Sequence, residues 1–93
     1  MITLHIEHPI TAYDTWKSAF DCFAAARGEA GVRAQRISRP VDDDHYVVVD
    51  LDFVTADEAE SFLGFLRERV WAVRDASPAL AGEPLARVLE SVG

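Results

Sequence analysis

The chain has a single cysteine, Cys22, so no internal disulfide can staple a domain this small. Basic residues are also scarce. Nine Lys and Arg stand against sixteen Asp and Glu, giving a formal net charge of −7. Nucleic acid and anionic membrane are thereby excluded as partners, because clustered cations hold both. Only Arg33, Arg36 and Arg39 gather locally, and Asp42, Asp43 and Asp44 follow almost at once. No apolar run approaches the roughly 20 residues that span a bilayer, and no signal-type segment precedes the first alternating stretch. The cytoplasm is the expected location. The five glycines are scattered without GxGxxG or Walker spacing, neither HExxH nor CxxC occurs, and no serine nucleophile elbow is found. Neither a metal nor a phosphate-bearing cofactor is expected.

What is present is a set of short segments with clear periods. At 93 residues, 49% hydrophobic and 27% charged, the chain reads as one globular domain spanning residues 1–93. From Met1 to His8 it alternates, with Ile2, Leu4 and Ile6 on one face and Thr3, His5 and Glu7 on the other. That period of two predicts a strand with one buried side, ended by Pro9. Thr11 and Asp14 resemble a capping box opening a helix. Its apolar stripe is Tyr13, Trp16, Phe20, Phe23 and Ala24, with Lys17, Asp21 and Arg27 off it and Gly28 and Gly31 as stop signals. On this helix Cys22 is expected to be a small buried hydrophobe.

Val32 to Arg39 reads as a second, weaker strand, and His45 to Phe53 as the strongest strand of the chain. Thr55 and Glu58 form a second capping box. The helix they open is expected to run to about Arg74, with Ala59, Phe62, Leu63, Leu66, Val70 and Val73 as its stripe and Trp71 off it. Leu85 to Val92 is the last strand. The order β-α-β-β-α-β predicts an α+β, ferredoxin-like arrangement: a four-stranded antiparallel sheet, both helices on one face, the first and third strands central. The other face is expected to hold Thr3, His5, Glu7, Gln35, Ile37, Tyr46, Val48, Asp50 and Asp52. Either water or the sheet of a second copy covers it.

His8-Pro9-Ile10, Tyr13, Trp16-Lys17, Phe20-Asp21, Gly31-Val32-Arg33, His45 to Val49 and Ala59 to Leu63 together resemble the small dimeric α+β barrel proteins. More narrowly, they resemble the antibiotic-biosynthesis-monooxygenase-like and "cyclase" group. The resemblance implies a homodimer whose two sheets face each other as a barrel, with a ligand pocket between sheet and helices in each subunit. It further implies a cofactor-free enzyme of monooxygenase, cyclase or isomerase type, acting on a small aromatic or polyketide-like molecule. Some oxygenases of that superfamily, and its haem-degrading members, rely on an Asn near a Trp. This chain contains no Asn, so that mechanism does not transfer intact.

Among candidate functional residues, His8 stands first. A histidine at a cleft mouth titrates near neutrality and can move a proton on or off a substrate; its competing role is to bond the backbone and fix the strand-to-helix turn. Tyr13, Trp16, Phe20 and Phe62 are the candidate ligand-binding residues, although packing alone explains their spacing. His5 and Asp50 form a candidate polar pair on the barrel side, suited to acid–base chemistry or to locking the register of a dimer. Three functions remain open on the sequence: an enzyme, a binding module for an apolar metabolite, and a purely structural dimer.

Overall fold

The alternation of the first segment folds as β1 (Ile2–Pro9), with Leu4, Ile6 and His8 buried and their neighbours half-exposed. The computed structural model describes every residue from Met1 to Gly93. After β1 come α1 (Tyr13–Cys22), α2 (Ala24–Ala30), β2 (Ala34–Ser38), β3 (Tyr46–Phe53), α3 (Ala56–Phe65) and β4 (Leu85–Glu90). A π-helical turn (Leu66–Val70) and a 3-10 turn (Arg74–Ala76) lie between α3 and β4. The sheet is antiparallel in the order β2-β3-β1-β4, so the two most apolar strands are central, as the sequence predicts.

Helices cover one face. Beneath them Leu4, Ile6, Val47, Val49, Leu51 and Phe53 meet Trp16, Ala59, Phe62 and Leu63 in a single core. Thr55 caps α3 as expected: its hydroxyl accepts from the Glu58 N–H, and the Glu58 carboxylate accepts from the Thr55 N–H. The first helix departs from expectation. Its N-cap is Ala12, which has no side chain able to cap, since the helix starts one residue later than expected; the Thr11 N–H bonds the Ala79 carbonyl at 2.9 Å. It also breaks at Phe23, where ψ rises to 16°, and Cys22 beside the break is exposed rather than buried.

Two further expectations are corrected. β3 places Leu51 and Val49 opposite Gln35 and Ile37, so these two residues face the helices, and Ala34, Arg36 and Ser38 take the open face. The second helix does not reach Arg74 in α-helical form. The Trp71 N–H bonds the Leu66 carbonyl five residues back at 2.7 Å, and the chain is extended by Val73, which is exposed.

Candidate functional site

His8 ends the buried face of β1, opposite Val47, and is 4% exposed. Its Nδ1 lies 3.0 Å from the Pro9 carbonyl. A carbonyl only accepts, so Nδ1 carries the hydrogen and the neutral ring keeps its lone pair on Nε2. That nitrogen has no partner within the chain, no side-chain nitrogen or oxygen is both unpaired and walled in, and His8 lines the adjacent cavity. Burial pushes the His8 pKa below the usual histidine value, partly offset by the Pro9 carbonyl. The ring is therefore a neutral base at neutral pH.

Beside it runs an aromatic shelf. Trp16 meets His8 edge-on at 6.4 Å between centroids and stacks on Phe20 at 5.0 Å. Phe62 closes the far side, in contact with Phe53 at 6.1 Å. These groups line a mostly apolar cavity of about 70 Å³ between sheet and helices. Tyr13 stands outside it. Although it touches Trp16, its ring faces a surface groove beside Ile37 and Arg39, with the Arg39 guanidinium 5.4 Å above it. The remaining wall is the stretch from Trp71 to Leu80, pinned at one end by the Ser77 hydroxyl donating to the Val70 carbonyl at 2.8 Å. The other end is held by the bridge between Ile10 and Leu80.

Two lining residues escape the sequence reading. Arg27, counted as a polar-face residue because it is charged, is 6% exposed and borders the cavity. Its position was legible: it follows Phe23 by four residues and Phe20 by seven, the spacing of the apolar stripe. Nη1 donates to the Phe20 carbonyl at 2.7 Å, Nε donates to Gln35 Oε1 at 3.1 Å, and the guanidinium carbon sits 3.7 Å over the Phe20 ring. Trp71 is the other. An unbroken helix would turn it away; the wider π turn rotates it back toward the cavity.

On the opposite face the structure joins His5 and Asp50 as expected and extends the pair. His5 Nδ1 lies 2.7 Å from Asp50 Oδ1, His5 Nε2 2.8 Å from Glu7 Oε2, and the Tyr46 hydroxyl donates to Glu7 Oε1 at 2.8 Å. The bonds to Glu7 and then Asp50 raise the His5 pKa, and those from His5 and then Tyr46 lower that of Glu7. Next to this chain, Asp52 accepts from the Thr3 hydroxyl and from Arg36, which holds its carboxyl below the usual range. His45 is exposed beside Asp43 and Asp44, and no buried group fixes those three as a metal site.

A putative antibiotic biosynthesis monooxygenase from Nitrosomonas europaea superposes with a TM-score of 0.68 at 14% identity, covering 98% of this chain and 90% of that one. A dimeric ferredoxin-like protein from an uncultured marine organism superposes with a TM-score of 0.63 at 9% identity, covering 100% and 96%. The chain has the ferredoxin-like fold. It is similar in shape to the group that its sequence resembles, and the likeness at these identities is one of fold. No family model matches the chain, and no curated protein matches it in sequence. No helix is long and apolar enough to cross a membrane.

Proposed function

We propose that the chain works as a homodimer in which each copy binds a small aromatic or polyketide-like molecule, and that His8 moves a proton on it without a cofactor. The observation that carries this is His8 in the wall of an apolar cavity with Nδ1 engaged by the Pro9 carbonyl, which leaves the Nε2 lone pair free. A buried neutral imidazole takes a proton from an activated C–H or a phenolic O–H, holds it as imidazolium, and returns it elsewhere on the ligand. That sequence yields an isomerisation or a ring closure. With dioxygen as co-substrate, the same deprotonation is the opening step of an oxygenation. Dimerisation is supported by the open face, where Leu85 and Leu89 remain 49% and 44% exposed on β4, and by the dimeric ferredoxin-like neighbour. A reducing compartment such as the cytoplasm suits the exposed Cys22 thiol.

The cavity is tight. An apolar cavity of about 150 Å³ is known to take up benzene, so a ring enters this one, at about 70 Å³, only when a wall moves. The stretch from Trp71 to Leu80 is the wall held by turns and a lone bridge rather than a ladder. The same small volume favours a second reading, a dimer whose helix–sheet space is filled by its own aromatic side chains. Native mass spectrometry on protein purified from its source separates the two: a dimer carrying small-molecule mass supports a ligand site. His8→Gln is then expected to abolish turnover of that molecule while leaving fold and dimer intact, since the Pro9 carbonyl keeps its bond from the Ala81 N–H. Undiminished turnover by the variant overturns the role of His8.

A further inference from the structure

Arg27 carries a buried charge that no salt bridge in the fold balances. A guanidinium stays protonated throughout the accessible pH range, and buried charges are as a rule paired with an opposite charge. Yet Arg27 forms no salt bridge. Asp21, whose field acts on it, is exposed and is held by Lys17 Nζ at 2.7 Å. Its hydrogen-bond partners are neutral, the Phe20 carbonyl and the Gln35 side chain. That carbonyl also accepts the Phe23 N–H at 3.1 Å at the helix break, so it does not depend on Arg27 for a partner. Nη2 has no partner within the chain and is not walled in. Burial pulls the Arg27 pKa down, the mark of a cation held out of water.

The surroundings say what would complete it. Arg27 lies over Phe20, Phe20 stacks on Trp16, and Trp16 meets His8, so one aromatic shelf has an uncompensated cation at one end and a neutral base at the other. Both ends border the same cavity. A guanidinium offers its remaining N–H groups as a planar fork that matches a carboxylate.

We infer that Arg27 is the anion anchor of this cavity and that its ligands are small planar aromatic carboxylates, the ring lying along Trp16 and Phe20 and the carboxylate at Nη2. The inference rests on the cavity being a ligand site, as proposed above. It places the atom that loses a proton at the ring end remote from the carboxylate, toward His8 Nε2. A neutral ligand of the same shape leaves the cation unpaired and binds less well.

The test uses matched pairs on the full chain at neutral pH: benzoate against benzamide, and 2-naphthoate against 2-naphthamide. Binding is followed by the indole N–H signals of Trp16 and Trp71 and the ring signals of His8. Each acid is expected to bind about tenfold tighter than its amide, as charge-assisted bonds outweigh neutral ones. Arg27→Met is expected to erase the preference for the acid, and Arg27→Lys to restore part of it. The wild-type comparison needs no variant to fold. Equal affinity for acid and amide overturns the anchor and leaves the cavity reading standing. Acid-induced shifts confined to the exposed residues around Arg36 and Arg39 overturn it likewise. Silence at Trp16, Trp71 and His8 with all four probes overturns both readings together.

Discussion

Replacing His5 by Gln probes the open-face network through its charge. Both ring nitrogens of His5 meet carboxylates, Asp50 at 2.7 Å and Glu7 at 2.8 Å. Ionised carboxylates only accept, so both contacts are hydrogen bonds only while the ring is imidazolium. Once neutral, the ring has one N–H and turns a lone pair on the other carboxylate. The folded pKa of His5 is raised, so the folded chain keeps a proton that the unfolded chain has released. Its contribution is full below the ordinary value of 6.5 and is lost as pH rises through the raised value. Side-chain exposures of 24% for His5, 24% for Asp50 and 32% for Glu7 place the pairs between surface and interior. At roughly 0.5–1 kcal/mol each, the two contacts give His5→Gln a cost of about 1–2 kcal/mol near pH 6. Urea unfolding of both proteins at a series of pH values checks this. The gap is expected to shrink to a few tenths of a kcal/mol as pH rises through the raised His5 value and the imidazolium is lost. His8 titrates in both proteins and cancels in the difference. A gap independent of pH, or a His5 ring signal titrating below 6.5, refutes the reasoning.

Five other outcomes follow from the geometry. His8, with its pKa lowered by burial, contributes stability that is full above 6.5 and falls as pH drops toward its folded value, so His8→Gln is expected to flatten the acid side of the stability profile. Thr55→Ala removes one half of the α3 capping box and is expected to cost about 1 kcal/mol in chemical denaturation. Gly31 has φ of 99°, and an added Cβ would lie 2.6 Å from Glu58 Oε2, so Gly31→Ala is expected to cost about 1–2 kcal/mol. Because the displaced Glu58 belongs to the same capping box, the Gly31 and Thr55 changes are expected to sum to less than their separate effects. Val48→Lys, on the open face of central β3, is expected to convert a dimer to a monomer in sedimentation; an unchanged dimer would exclude that face as the interface.

Much of the fold was legible because its signals are local. Ile2 to His8 and Tyr46 to Phe53 alternate cleanly, so the period alone named the buried face of each central strand and put His8 on the helix side. Thr55 and Glu58 are three residues apart and needed only each other to cap a helix. The pairing of His5 with Asp50 followed from strand parity once β1 and β3 were neighbours. In Ala34 to Ser38 the alternation is weak, and its faces depend on the register with β3; a slip of one residue exchanges them, which is how Gln35 and Ile37 were misplaced.

The sequence by itself therefore determined the element order, the central strands, the sidedness of His8 and one helix cap, since each depends on residues within a few positions of one another. Tertiary structure alone decided the rest of the site. At the break at Phe23 the Phe20 carbonyl took Arg27 Nη1 beside the Phe23 N–H, the π turn after α3 rotated Trp71 inward, and the bridge from Leu80 to Ile10 closed the wall beside His8. Each of these outcomes trades a regular backbone bond or a solvated charge for packing against a distant segment. No period along the chain records that exchange.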